Sequence, residues 1–139
     1  MENFNYSKFE TELSVRPDDI DMNNHVHFSK YLDYVLAARH DQLKRCYKMS
    51  MEDFHAMGYN WVVKNCFIVY KRPLFISDHF IVKTGIESIN ASSAKVAFEI
   101  IKKETRKLCA DGNFEFTLIS IASGKIQKIP QSIIDHYSF

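Results

Sequence analysis

The chain has 139 residues, enough for one domain with a real core, since a domain of this size buries roughly two-thirds of the surface its unfolded chain exposes. Its 18 basic and 17 acidic residues leave a net charge of +1, so bulk charge gives no sign of a nucleic-acid or membrane-surface partner. No apolar run approaches the ~20 residues of a membrane helix, and the N-terminal MENFNYSKFE lacks the basic and apolar regions of a signal peptide. Cys46, Cys66 and Cys109 are far apart and form no C-x-x-C, which argues against a disulfide framework and a thiolate metal site and for a reducing cytoplasm.

Residues 8–16, KFETELSVR, alternate Phe9, Thr11, Leu13 and Val15 with polar neighbours. This is the period-two pattern of a half-buried strand, and Pro17 ends it. From Phe28 to Cys46 the apolar residues fall on two adjoining stripes, Tyr31, Val35 and Ala38 on one and Phe28, Leu32, Leu36 and Leu43 on the other. That width predicts a long helix, at about 28–47, covered on more than one side. Asn24 or the residues just after it serve as its cap, and Arg39, Lys44, Arg45 and Lys48 suit its C-terminal dipole end. In SMEDFHAM, Ser50 and Asp53 have capping-box spacing, with Gly58 as the stop of a shorter helix.

Four strands follow. NWVVKNCFIVYKRPL ends near Pro73; HFIVKTGIESI places Phe80, Val82, Thr84 and Ile86 on one face; SAKVAFEIIKKE groups Val96, Phe98 and Ile100. In KLCADGNFEFTLISIA, Gly112 marks a bulge or a close backbone approach. SGK at 123–125 reads as a turn, IQKIP as a short ending and QSIIDHY as a last helical turn. Consecutive strands joined by short links imply an antiparallel sheet with the long helix on its concave face. The expectation is a single α+β domain over 1–139, whose uncovered edges favour dimerisation.

Between the first strand and the helix lies RPDDIDMNNHVHF, with Asp18, Asp19, Asp21, Asn23, Asn24, His25 and His27 inside ten residues. On an extended loop, the alternate spacing of Asp21, Asn23 and His25 points them the same way. A carboxylate acts as base or nucleophile, an amide orients water or a carbonyl, and an imidazole holds a proton. The following helix N-terminus supplies free N–H groups for an oxyanion. Together these suit hydrolysis of an ester or thioester. Asp and Asn also gather in turns and caps, and spacing alone leaves both readings open.

DIDMNNHVHFSKYLDYV resembles the signature of the hotdog-fold thioesterases: Asp-x-Asp, a short gap, His-Val-Asn-Asn, two residues and Tyr, set before a long central helix. VYKRPLFISDHFIVKT and SGKIQKIP are similar to that family's later strand-turn-strand and C-terminal strand, so the resemblance runs along nearly the whole chain. It implies a hotdog fold, a curved antiparallel sheet wrapped around one helix, acting as a dimer with its sites at the subunit interface. In the 4-hydroxybenzoyl-CoA thioesterase branch the second Asp of Asp-x-Asp is catalytic, which is Asp21 here. The backbone N–H that polarises the carbonyl there falls at about Phe28. In the plant-type acyl-carrier-protein branch, Asp-x-Asn-x-His carries the function, matching Asp21, Asn23 and His25.

Three positions depart from the pattern: His27 replaces the usual Asn, Asn24 the frequent Gly, and Pro73 the functional Glu of the plant-type branch. These favour an Asp21-centred mechanism with Asn23 and His25 in support. Asp18, Asp19 and Asn24 are expected as turn and cap residues, and His27 has no evident role.

Tyr31, Tyr34 and Trp61 suit the wall of an acyl pocket or the core. Lys71 and Arg72, with Lys102, Lys103, Arg106 and Lys107, suit coenzyme A phosphates or a solvated face. The reading is an acyl thioester hydrolase acting on acyl-CoA or acyl-carrier-protein substrates, with no metal or redox cofactor and no nucleic-acid or membrane partner. The main alternative is a hotdog module that holds an acyl group or acyl carrier without hydrolysing it. A hotdog dehydratase is a weaker rival, because its His-based motif differs from this loop.

Overall fold

The computed structural model describes residues 6–137. Strand β1 (Lys8–Ser14) turns Phe9, Thr11 and Leu13 inward, as its alternation requires. One 3₁₀ turn, Pro17–Asp19, leads into the loop before helix α1 (Lys30–Arg45). Helix α2 (Met51–Ala56) begins at the expected capping box: Ser50 Oγ accepts the Asp53 N–H at 3.2 Å, and the Asp53 carboxylate accepts the Ser50 N–H at 2.9 Å. Gly58 ends it at φ +85°, a left-handed conformation that glycine adopts without strain. Strands β2 (Tyr59–Tyr70), β3 (His79–Asn90), β4 (Ser93–Lys102) and β5 (Leu108–Ser120) and helix α3 (Gln131–Tyr137) follow.

The five strands form one antiparallel sheet in the order β1-β3-β4-β5-β2. The short links β3–β4 and β4–β5 make adjacent pairs, as expected. The link from β2 to β3 does not, and here the simple sequential picture is corrected. β2 lies on one edge beside β5, and residues 71–78 carry the chain across to β3, beside β1. The crossing is anchored by Leu74, which is fully buried, and by its carbonyl, which accepts the Val26 N–H at 2.8 Å. IQKIP contributes a single bridge, Ile126 to Ile119, rather than a strand.

Helix α1 begins two residues later than its apolar periodicity suggests. Phe28 and Ser29 form a turn closed by the Lys30 N–H on the His27 carbonyl at 2.9 Å. Along the first half of α1, Tyr31, Tyr34, Val35 and Ala38 pack on Phe80, Val82, Phe98 and Phe114. Along the second half, Leu43 joins Tyr47, Phe54, Ile86, Leu118 and Ile133, so α2 and α3 close that end. Each large apolar side chain buried this way contributes about 1.5–3 kcal/mol.

Polar groups set the seat of the helix. Gln42, fully buried, donates to Thr11 Oγ1 at 3.0 Å and to the Val82 carbonyl at 3.3 Å, and accepts the Thr84 hydroxyl. Arg39 Nη1 donates to Thr84 Oγ1 at 3.0 Å, and its guanidinium lies 5.0 Å over the Tyr47 ring. These partners belong to β1, β3 and the chain after α1, so they fix the rotation of the helix on that side.

Asp19 fixes the loop. It is 1% exposed, and Oδ2 accepts the Tyr34 hydroxyl at 2.7 Å while the Arg16 guanidinium stands 3.6 Å away. Its carbonyl accepts the His27 N–H at 2.9 Å and its N–H donates to the Arg16 carbonyl at 3.0 Å. The expected turn residue is thus a buried tie between the loop and α1.

Two predictions follow from this packing. A Cβ added at Gly112 would stand 1.9 Å from the Phe67 carbonyl oxygen on β2, so the close approach is real. Gly112→Ala should cost about 3 kcal/mol in urea unfolding, and a loss under about 1 kcal/mol would contradict the contact. Burial alone would push the Asp19 carboxyl up, but the Tyr34 hydroxyl and the Arg16 backbone and guanidinium hold it below its usual value. A depressed folded-state pKa stabilises above the unfolded value, and that contribution is lost as pH falls through the folded one. Tyr34→Phe should therefore cost about 1.5–3 kcal/mol near neutral pH and less in acid. A penalty that grows on acidification would contradict this.

Candidate active site

The loop between the 3₁₀ turn and α1 folds back on itself. Ile20 and Val26 form a bridge, the Asp21 N–H donates to the His25 carbonyl at 2.8 Å, and the Asn24 N–H donates to the Asp21 carbonyl at 3.1 Å. Asn24 takes φ +63°, which Asn tolerates better than other non-glycine residues and which accounts for the Gly frequent at this place. Asp21 Oδ1 accepts the N–H groups of Asn23 at 2.8 Å and His25 at 3.2 Å. The segment is therefore an Asx-type turn, not the extended run that alternate spacing presumed. Competition from the Asp side chain for nearby backbone donors is the reason.

The result separates the three motif side chains. Asp21 is half-buried, with Oδ1 fixed by two N–H groups; Oδ2 makes no hydrogen bond among the described residues. Asn23 is exposed. His25 is half-buried, with its ring edge-on to Phe75 at 5.1 Å and its backbone bridged to Phe75 in the crossing segment. The turn orients a carboxylate oxygen outward while both its neighbours are engaged through their backbones.

Phe28 sits just before α1 and is 65% exposed. Its carbonyl accepts the Tyr70 hydroxyl of β2 at 3.0 Å, and its own N–H has no hydrogen-bond partner among the described residues. That N–H lies at the positive end of a 16-residue helix. Tyr70 is a contributor that sequence alone could not separate from the other strand aromatics. Tyr31 is 3% exposed; its ring meets Tyr70 at 5.1 Å and its hydroxyl accepts the Leu74 N–H at 3.2 Å. Burial raises the Tyr31 phenol above its usual value, so it stays protonated. It braces the site from the core side.

A cavity of about 310 Å³ opens farther along α1, lined by Leu36, Arg39 and Leu43 of the helix, Trp61 and Val63 of β2, and Ile86, Val96 and Phe116 of the sheet. It contains neither Asp21 nor Phe28. Counted from Lys30, its helical lining begins about 9 Å along α1 and ends about 20 Å along it. β2 runs beside the helix in the opposite sense, with Tyr70 at Phe28 and Trp61 at the cavity. Between the two ends the side chains of β2 on Tyr70's face are Cys66 and Ile68, which pack against the core, while Phe67 and Val69 are exposed on the opposite face. Of the sequence candidates, Trp61 lies in the cavity; Leu36 and Val63 were not anticipated, because their exposure depends on how the helix is rotated.

The basic residues gather at the other side of the loop. The N–H groups of Lys71 and Arg72 both donate to the Cys109 carbonyl, which brings them beside the β4–β5 turn that carries Lys103, Arg106 and Lys107. Lys102 Nζ lies 4.8 Å over the Phe75 ring, the same ring that meets His25. Several of these cations are engaged: Lys71 with Asp111 at 3.4 Å, Lys102 with Asp78 at 3.5 Å, Lys103 with Glu12 at 2.7 Å, and Arg72 Nη1 with the Leu108 carbonyl at 3.1 Å. Among the described residues no cluster of His, Cys, Asp and Glu has the makings of a metal site, and no helix is long and apolar enough to cross a membrane.

Known proteins share this fold. The long-chain acyl-CoA thioesterase FadM of Escherichia coli is 26% identical over 116 residues, spanning 84% of this chain and 86% of that protein. A 1,4-dihydroxy-2-naphthoyl-CoA thioesterase from Synechocystis superposes with a TM-score of 0.84 at 20% identity, covering 94% of this chain and 96% of that one. A DHNA-CoA thioesterase from Staphylococcus aureus gives a TM-score of 0.86 at 22% identity, covering 94% and 89%. The family profile described as the thioesterase-like superfamily matches residues 15–136, and with the sheet, helix and loop above it makes this chain a hotdog-fold enzyme of the thioesterase-like superfamily.

Proposed function

We propose that the chain hydrolyses acyl-CoA thioesters with elongated acyl groups, and that Asp21 is the carboxylate that acts on the substrate. The observation that carries this reading is the state of Asp21: one oxygen held by two backbone N–H groups, the other free, in a turn hydrogen-bonded to the segment that ends at the open Phe28 N–H. In the proposed reaction Asp21 Oδ2 takes a proton from water, whose oxygen attacks the thioester carbon. The carbonyl oxygen gains the negative charge and is met by the Phe28 N–H and the helix dipole. Collapse breaks the C–S bond, and the proton held by Asp21 passes to the departing thiolate. Direct attack by Asp21, with an anhydride then hydrolysed by water, uses the same atoms. Asn23 and His25 position water and substrate at the mouth of the turn.

The acyl group would run from Phe28 and Tyr70 toward the cavity at Trp61 and Val63. The distance of that cavity from Phe28 along α1, and the long-chain acyl-CoA named for the Escherichia coli relative, support an elongated substrate. Lys71, Arg72 and the β4–β5 turn would meet the phosphates of coenzyme A; an acyl carrier protein would use the same basic rim. β2 is an edge strand whose Val62, Val63, Phe67 and Val69 are exposed, which supports self-association through that edge. Three free cysteines suit a cytoplasmic enzyme.

Purified protein assayed for thiol release with a panel of acyl-CoA and acyl-carrier-protein substrates tests the reading. Asp21→Asn and Asp21→Ala should each lower kcat by about 10²–10⁴-fold. Undiminished turnover in both would remove Asp21 from the mechanism, and saturable binding without thiol release from any substrate would make the domain a binding module. Val63→Trp, which fills the cavity mouth, should lower kcat/KM for long acyl chains by about tenfold or more relative to short ones. An equal loss for both would displace the acyl group from this cavity.

A further inference from the structure

We propose that His27 is a positioning residue that sets the direction of the Phe28 N–H and does so only when its imidazole is neutral. The inference rests on the preceding reading, in which that N–H meets the thioester carbonyl.

No side chain of Ser29, the residue before α1, caps the helix. His27 does so instead. Its Nδ1 accepts the Ser29 N–H at 3.3 Å and lies 2.8 Å from Ser29 Oγ, while its carbonyl accepts the Lys30 N–H at 2.9 Å. The ring stacks on Phe28, with centroids 4.6 Å apart and planes 29° apart. The peptide that follows Phe28 is thus held at both ends, by Tyr70 on its carbonyl at 3.0 Å and by His27 on its N–H, while the peptide that carries the Phe28 N–H is held through the His27 carbonyl. The Phe28 N–H itself has no partner among the described residues. The His27 N–H is bound to the buried Asp19 carbonyl, so the grip is referred back to the core.

An imidazole nitrogen has a single lone pair in the ring plane. The Ser29 N–H points at Nδ1, and accepting it takes the neutral tautomer with its proton on Nε2, to which the Ser29 hydroxyl can also turn its proton. A proton on Nδ1 would occupy that lone pair. Ser29 Oγ could then accept from the ring, but the Ser29 N–H would lose its acceptor and face a cation at the positive end of the helix. The turn that presents Phe28 would loosen. An Asn side chain would offer an acceptor that takes up no proton, whereas an imidazole can be protonated. The titratable and charged groups around His27 are Asp19, Asp21 and His25 on its own loop, Lys30 on α1 and Tyr70 on β2. None forms an ion pair with His27 among the described residues.

The test measures kcat and KM for the best acyl-CoA between about pH 5 and 8.5, together with the Phe28 and Ser29 amide resonances of the full-length protein. Wild type should lose kcat on the acid side with KM little changed, and both amides should shift with the same midpoint. His27→Asn should retain kcat within about threefold in mild alkali and lose both the acid limb and the amide titration; His25→Asn should keep the amide titration. His27→Ala should lower kcat by about ten- to hundredfold at every pH with KM within about twofold. Ser29→Ala, which keeps the N–H, should retain most activity.

An acid limb and amide titration that persist in His27→Asn, or a His27→Ala variant with wild-type kcat, would overturn the proposal. So would loss of all turnover in Ser29→Ala, which would make Ser29 a nucleophile. If no substrate is hydrolysed, the thioesterase reading fails, while the amide titration still decides whether His27 holds the turn.

Discussion

A carboxylate removed from water destabilises a fold by several kcal/mol unless charges or hydrogen bonds meet it. Asp19 is such a carboxylate, and the geometry of the site depends on how it is met. Tyr34 approaches from α1, Arg16 from the end of β1, and the Asp19 backbone holds His27. Oδ1 is buried without a partner among the described residues, so the side chain depends on the bonds at its other oxygen. Burial and the neighbouring Asp19 carboxylate both raise the Tyr34 phenol above its usual value, so it remains a donor. The tie joins the strand, the loop and the helix at one point, two residues before Asp21 and eight before His27.

The second constraint acts on the rotation of α1. Gln42 and Arg39 bond to Thr11, Val82 and Thr84, which lie on β1 and β3. Gln42 and Arg39 would be left unsatisfied by a turn of the helix in either direction, at about 1–3 kcal/mol for each stranded group. With that side committed, Leu36 and Leu43 are left facing β2, where the cavity opens. On the far side Gly112 admits the backbone of β2 to β5 more closely than any side chain would allow. The cavity therefore lies beside a helix fixed by polar bonds on its β1–β3 side and a strand, β2, held tightly to β5 at Gly112.

Much of this was legible in residue order. The capping box at Ser50 and Asp53, the stop at Gly58, the inward faces of β1 and β3 and the close approach at Gly112 are local effects, and local rules reach them. The family followed from the loop signature. What sequence did not yield is of another kind. The β2–β3 crossing depends on Leu74 finding the core above α1, a long-range preference. The turn at Asp21 depends on a side chain outbidding the extended backbone for two N–H groups, and the roles of Asp19 and Tyr70 depend on partners 15 and 42 residues away. His27 was opaque for the same reason: its acceptor is readable only once Ser29 is placed beside it.

The two ends of α1 ask for opposite environments, and the fold supplies both. The Asp21 end needs an open approach for a polar head group and water. The cavity end needs dryness, which aromatic and aliphatic walls provide. Between them, on the outer face of β2, Phe67 is 62% accessible. An exposed apolar strand near the carboxylate proposed to act would be costly twice, since it leaves unpaired backbone groups at the edge and a high dielectric around that charge. Pairing of two β2 edges, as proposed, would remove both at once. It would satisfy the edge, cover the apolar side chains and lower the dielectric around Asp21 and the Phe28 N–H, where the developing charge of a thioester oxyanion interacts more strongly with a fixed dipole than it does in water. On this argument self-association would be a condition of the proposed chemistry rather than an addition to it.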